Sequence, residues 1–183
     1  VTSDVTLVDG YPLWLVHFPN AAKTLAYHSE KGTWTEWGSW SPTAADYTRF
    51  RGNCYTYARG WNLHIFGDMN NGKIYTSNRT ATFDDDGTPV RSFRRTGWIT
   101  HGTQGYKRSK GLRIHVKRGA GYANVTAPVM VVRWRDDAGP FGNDHIVSLG
   151  KVGDLWMTVR LFRLGRYRRR QYEFIHSDNS DWI

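Results

Sequence analysis

The sequence predicts an all-β chain built from propeller-like blades of antiparallel strands. Three observations carry that prediction. Short apolar runs alternate with polar residues at a period of two, as half-buried strands do. Turns rich in glycine and asparagine separate those runs at short, regular spacing. Aromatic residues make up 15% of the 183 residues, including nine tryptophans and ten tyrosines, and wide rings suit pleated surfaces and interfaces. No stretch carries a convincing helical period; residues 43–47 (Thr-Ala-Ala-Asp-Tyr) fit at most one short turn.

The elements follow in order. Residues 13–18 (Leu-Trp-Leu-Val-His-Phe) and 63–66 (Leu-His-Ile-Phe) read as strands. Residues 113–117 (Arg-Ile-His-Val-Lys) place apolar side chains on one face and charged ones on the other. Residues 129–135 (Val-Met-Val-Val-Arg-Trp-Arg) read as a more buried strand with an exposed end. Lys31-Gly32 separates residues 24–27 from 33–37, and Asn71-Gly72 separates 65–66 from 73–75. Asp85-Asp86-Gly87 and Gly119-Ala120-Gly121 mark two further turns. Asn and Gly tolerate the positive φ that tight hairpins require. A faint repeat joins residues 27–34 to 66–75, in which an aromatic strand end leads to a polar glycine turn and a new strand with a large ring. Gly32 and Gly72 lie 40 residues apart, close to the period of about 40–50 residues of propeller blades. By pattern the chain divides into blade-like strands over 1–42 and 43–100, a polar linker over 101–110 and a C-terminal meander over 111–183. Residues 1–110, with the propeller-like blades, and 111–183, the C-terminal β-meander, then form two parts of one domain.

Composition narrows the function. The single cysteine, Cys54, rules out an internal disulfide, so packing alone holds the fold. That suits assembly in a reducing compartment, with Cys54 expected as a small buried strand residue. No run of about 20 apolar residues is present to span a membrane as a helix, and no signal peptide is recognisable. The chain opens at Val1 and ends at Ile183, which is expected of a fragment of a longer protein. The sequons at 78–80 and 124–126 carry weight only in a secreted protein. Lys and Arg number 25 against 16 Asp and Glu, for a net charge of +9, and such a balance favours a polyanion or an acidic partner.

An ordered set of segments carries a resemblance. Residues 67–75 (Gly-Asp-Met-Asn-Asn-Gly-Lys-Ile-Tyr) are followed by 83–90 (Phe-Asp-Asp-Asp-Gly-Thr-Pro-Val) and by Arg94-Arg95-Thr96. Then come 132–139 (Val-Arg-Trp-Arg-Asp-Asp-Ala-Gly), 148–153 (Ser-Leu-Gly-Lys-Val-Gly), 163–166 and Tyr172-Glu173-Phe174. In this order they resemble the C-terminal part of the packaged-DNA stabilisation proteins of short-tailed phages, the tail hub or head-completion family. The likeness covers roughly the last two thirds of the chain. It implies a propeller-like virion protein of the tail, assembled in the host cytoplasm, that sits below the portal and keeps packaged DNA inside the capsid. It also implies copies in a ring, neighbouring portal, adaptor and tail-needle-type proteins, and no cofactor, metal or catalytic residue. After Gly139 the chain departs from the family pattern, with Pro140-Phe141-Gly142 in place of a Ser/Thr-Trp turn. It is also shorter than a complete closed propeller, so a partial propeller is expected.

Residues able to bear chemistry also have structural roles open to them. Asp136-Asp137-Ala138-Gly139 looks like a degraded Asp-box, a hairpin turn whose carboxylate accepts backbone N–H bonds. It motivates an alternative reading as a glycan-binding or sialidase-like propeller, but no carboxylate pair is singled out as a glycosidase requires. Asp84-Asp85-Asp86-Gly87 lacks the later ligands of a calcium loop and reads as a solvated turn. His17, His64 and His115 fall within strands as structural residues, and Trp34, Trp37, Trp40, Trp61 and Trp98 read as packing residues before base-stacking ones. The basic segment is the most informative. Arg160, Arg163, Arg166, Arg168, Arg169 and Arg170 form the candidate partner-binding set, for double-stranded DNA phosphate or acidic protein patches. On a strand, Arg166, Arg168 and Arg170 would share one face and Arg169 the other. A sequence-independent DNA-binding β module is the third reading, and Arg94-Arg95 are candidates for the same surface.

Overall fold

The structure, a computed structural model, describes residues 1–8, 10–41, 43–77, 90–117, 128–150 and 156–177. The described residues are all-β and antiparallel, with no helix. The chain forms two compact units, Val1–Ala81 and Thr82–Ile183.

The first unit runs β1 (Thr2–Val8), β2 (Tyr11–Phe18), β3 (Lys23–His28), β4 (Thr33–Ser41) and β5 (Asp46–Arg49), paired in that order as a five-stranded meander. Then β6 (Gly52–Ala58), β7 (Leu63–Asp68) and β8 (Ile74–Ser77) form a three-stranded meander. The faint repeat is a real one. Leu15 pairs with Ala26, and 40 residues on Tyr55 pairs with Phe66. Ala26 pairs with Thr35, and 40 residues on Phe66 pairs with Tyr75. The loops repeat as well. Residues 19–22 and 59–62 each join their strands, and each loop closes on a residue at positive φ, Ala22 (51°) and Asn62 (54°).

Gly32 adopts φ +61°, as expected of its turn. The Asn71-Gly72 turn is built differently, since neither residue has positive φ. Its loop is shaped instead by the Asp68 carboxylate, whose Oδ1 accepts the N–H groups of Asn70 (2.6 Å) and Asn71 (3.1 Å). The repeat also packs in a way its periodicity does not reveal. Leu15, Ala26 and Phe66 share one buried cluster with Trp37, Phe50 and Tyr55. Leu15/Tyr55 and Ala26/Phe66 are equivalent positions, so the two meanders meet through equivalent faces. Sandwich layers meet that way, whereas consecutive propeller blades, related by rotation, meet through opposite faces. No ring of blades closes among the described residues.

The second unit contains β9 (Ser92–Arg95), β10 (Lys107–Arg108), β11 (Gly111–Lys117), β12 (Val129–Asp136), β13 (His145–Ser148), β14 (Trp156–Phe162), β15 (Arg166–Tyr167) and β16 (Arg170–His176). A four-stranded sheet has the order β13-β12-β16-β9, and β11 with β14 and β10 with β15 form two ribbons. Val116 and Val159 of the β11–β14 ribbon pack with Met130, Val132, Val147 and Leu149 to form the core. Each such side chain contributes about 1.5–3 kcal/mol by leaving water. The 101–110 stretch is not a bare linker, because Lys107 pairs with Tyr167 and Arg108 with Arg166. The compact units divide at Ala81/Thr82, not after Lys110, since β9 hydrogen-bonds to β16 and β10 to β15.

Several expected features lie outside the described residues: the turns at 85–87 and 119–121, the Asp84–Gly87 acids, both sequons and residues 151–153. Cys54 is exposed on β6, contrary to expectation. It faces Gly67, where an added Cβ would come within 2.7 Å of its Sγ. The strand histidines are structural: His17 Nδ1 lies 3.0 Å from Thr24 Oγ1, His64 stacks on Tyr55, and His115 Nδ1 lies 3.1 Å from Thr158 Oγ1.

Candidate functional site: an arginine surface and an aromatic row

The six arginines of the basic segment do not form one face. Arg160 is exposed on β14 directly opposite Arg113 of β11, a like-charge pairing that costs stability. Arg163 is exposed in a left-handed conformation (φ 58°) after the strand ends. Arg166 and Arg168 both lie over the Tyr106 ring, at 5.1 and 4.5 Å from its centroid. Arg169 lies over Trp98 at 4.8 Å.

Arg170 is not a surface residue. It is fully buried, stacks on Tyr167 at 4.2 Å and donates to both carboxylate oxygens of Asp136 (2.6 and 2.8 Å). Its Nη2 also donates to the Leu164 carbonyl. The expected alternation fails because the chain bends at Arg168 and Arg169 between β15 and β16.

The cause of the bend is Asp137. Its Oδ1 accepts the backbone N–H groups of Arg168 (3.0 Å) and Arg169 (2.9 Å), and its own N–H donates to the Arg169 carbonyl. The Arg169 N–H bond holds the Asp137 carboxyl below the usual carboxylate range, with the Arg168 N–H and both guanidinium charges adding to it against partial desolvation. The Asp-box-like turn therefore acts as a structural clamp. Among the described residues no cluster of three or more His, Cys, Asp or Glu converges to hold a metal ion.

A second set of arginines lies on the outer face of the four-stranded sheet. Arg95 of β9 and Arg133 of β12 flank Glu173 of β16 in register, and both donate to its carboxylate, which is 2% exposed. Arg135 Nε donates to Gln171 Oε1 at 2.8 Å. The guanidiniums of Arg95, Arg133 and Arg135 lie 5.1, 4.9 and 5.0 Å from the centre of one ring, Phe141. Arg135 also lies 5.0 Å from Trp98, the ring that carries Arg169. Of these, only Arg95 was legible as a candidate. Arg133 and Arg135 sit at the end of what reads as a more buried strand, and Phe141 follows the Asp-box-like turn.

The first unit carries a surface of another kind. Val5, Trp14, Tyr27 and Trp34 stand directly opposite one another across β1, β2, β3 and β4. They form an outward row, with Val5 60%, Trp14 45% and Trp34 52% exposed. Trp34 contacts Tyr27 at 4.9 Å and Trp14 at 6.0 Å between ring centres. Leu7, 46% exposed, extends the patch on the same face. Positions equivalent to Trp14, Tyr27 and Trp34 in the second meander hold Cys54, Gly67 and Ile74. The repeat therefore does not need rings there. Trp34 was expected to pack, as was Trp61, which is 78% exposed; Trp37 does pack in the core cluster.

No protein-family model matches the chain, and no curated protein matches it.

Proposed function

We propose that this chain is a structural, non-catalytic component of a phage tail or head-to-tail connector that helps close the channel and retain packaged DNA. The aromatic row of the first unit is the observation that carries the reading. Large exposed apolar patches on sheets mark interaction surfaces, and Trp and Tyr are enriched in the cores of interfaces. Here the rings occupy slots that the sister repeat fills with Cys, Gly and Ile, so they serve something other than the repeat's own fold. The ordered segments that resemble the packaged-DNA stabilisation family support the same reading. Under it the row docks copies of this chain in a ring, with portal, adaptor and tail-needle-type proteins as further neighbours, and many contacts summed over copies oppose DNA escape.

A glycan-binding reading would use the same tryptophans as a sugar platform. The rings of Trp14 and Tyr27 are inclined at 50° and 43° to Trp34. They therefore offer no flat surface, which favours a protein partner. The test is a phage carrying Trp14→Ser and Trp34→Ser together in this chain. The expected result is heads that fill with DNA and then lose it, with the chain missing from purified particles. Particles that retain both the chain and their DNA contradict the reading.

A further inference from the structure

The outer sheet face of the second unit holds more positive charge than its own partners neutralise. Arg95, Arg133, Arg135 and Arg169 converge on Phe141 and Trp98, and against these four stand three carboxylates: Glu173, at the centre, Asp144, 3.7 Å from Arg133, and Asp137, which the Arg169 charge reaches. Both Glu173 oxygens are already used by Arg95 and Arg133. Arg135 has no carboxylate partner among the described residues, and Arg169 has only the charge of the exposed Asp137, which it shares with Arg168. Three guanidiniums around one ring repel one another, and stacking with in-sheet hydrogen bonds keeps them in place. This fixes flat guanidinium planes on a rigid sheet; Arg95 Nη2 is taken by Glu173 and Arg133 Nη1 faces Asp144, while the Nη groups of Arg135 and Arg169 make no hydrogen bond among the described residues. That geometry suits the tetrahedral oxygens of phosphate.

We infer that this face binds the phosphate backbone of double-stranded DNA without reading its sequence. The aromatic rings decide between duplex and single strand. Trp98 already carries two guanidiniums and Phe141 three, so the rings brace arginines and are not left open for bases to stack on. Charge complementarity then comes from the backbone alone. The inference is independent of the tail reading, which stands on the first unit's aromatic row, so either can fail alone.

The test is fluorescence anisotropy of a labelled DNA duplex of arbitrary sequence with the whole chain, titrated between about 50 and 200 mM salt. Arg135→Gln with Arg169→Gln is compared with a charge-matched control on the first unit, Lys31→Gln with Arg59→Gln. The expected result is duplex binding that weakens steeply with salt. The Arg135/Arg169 variant should lose affinity on the order of tenfold, and its log–log salt slope should shrink by about 2, at ~0.9 per phosphate contact. If the double variant does not fold, Arg169→Gln alone carries the test, since its guanidinium is exposed over Trp98, and about half the change in slope is expected. Absence of duplex binding at about 50 mM salt, or equal losses in variant and control, would overturn the inference. So would tighter binding of the single strand, or displacement of the duplex by polyglutamate at equal charge, which would mark an acidic protein as the partner.

Discussion

At the scale of single residues, the arginines divide by what surrounds them. Arg170 is buried with Asp136 and the Leu164 carbonyl as partners, and its Nη1 is buried with no partner among the described residues. Arg168 is exposed over Tyr106. Arg170→Ala would strand Asp136 and leave a void between Tyr167 and Tyr172, so a loss on the order of 3 kcal/mol is expected in urea denaturation. Arg168→Gln should stay within about 0.5 kcal/mol of the parent. His17 makes a second contrast. Burial pushes its pKa below the ordinary value of 6.5, the Arg49 charge adds to that, and Asp4 opposes it. The folded chain therefore binds fewer protons at this site than the unfolded chain. Its contribution is fully present above about pH 6.5 and declines as pH falls toward the lowered folded value. Melting temperature should drop as pH falls from about 6.5 to 5, and His17→Gln should flatten that drop; equal slopes in parent and variant would contradict it.

At the scale of elements, the loops and strand contacts of the repeat set local stability. Ala22 holds a left-handed conformation that a side chain disfavours by about 1–2 kcal/mol. Ala22→Gly should therefore stabilise the chain by a net amount of about 0.5–1 kcal/mol, after the unfolded chain's gain in freedom is counted. Asn62→Gly should gain less, because asparagine tolerates this region. Gly38→Ala should destabilise, since its Cβ would meet the Thr48 carbonyl at 2.9 Å, where β4 passes from pairing with β3 to pairing with β5. Thermal melts of the three variants check all of this.

The strands themselves were legible in the sequence because alternation reports burial directly, and Val116, Val132 and Leu15 are buried where their period places them. The 40-residue repeat was legible through Gly32 and Gly72. Which faces of the two meanders meet was not legible, because a period of two marks an apolar face without naming what covers it. The fate of Arg170 was hidden for a related reason. Its neighbours in the chain are arginines, and only the Asp137 clamp, 31 residues upstream of Arg168, turns it inward. Trp34 reads as a packing residue because rings on a strand usually are, and Trp14 reads only as part of a strand. Their exposure becomes clear only when the register lines them up with Val5 and Tyr27.

At the scale of the whole molecule, the net charge of +9 is compatible with both surfaces. The second unit gathers stacked arginines on one sheet, and the first gathers uncharged rings on another. Under the proposed tail role the rings would hold neighbouring copies, and the arginine face is the one proposed to meet DNA. Sedimentation velocity of the purified chain over a range of concentrations, with and without Trp14→Ser and Trp34→Ser, tests the central claim of a docking row most directly. The account predicts concentration-dependent oligomers for the parent, and a monomer with an unchanged melting temperature for the double variant. A parent chain that stays monomeric throughout, or oligomers that survive loss of both tryptophans, would contradict it.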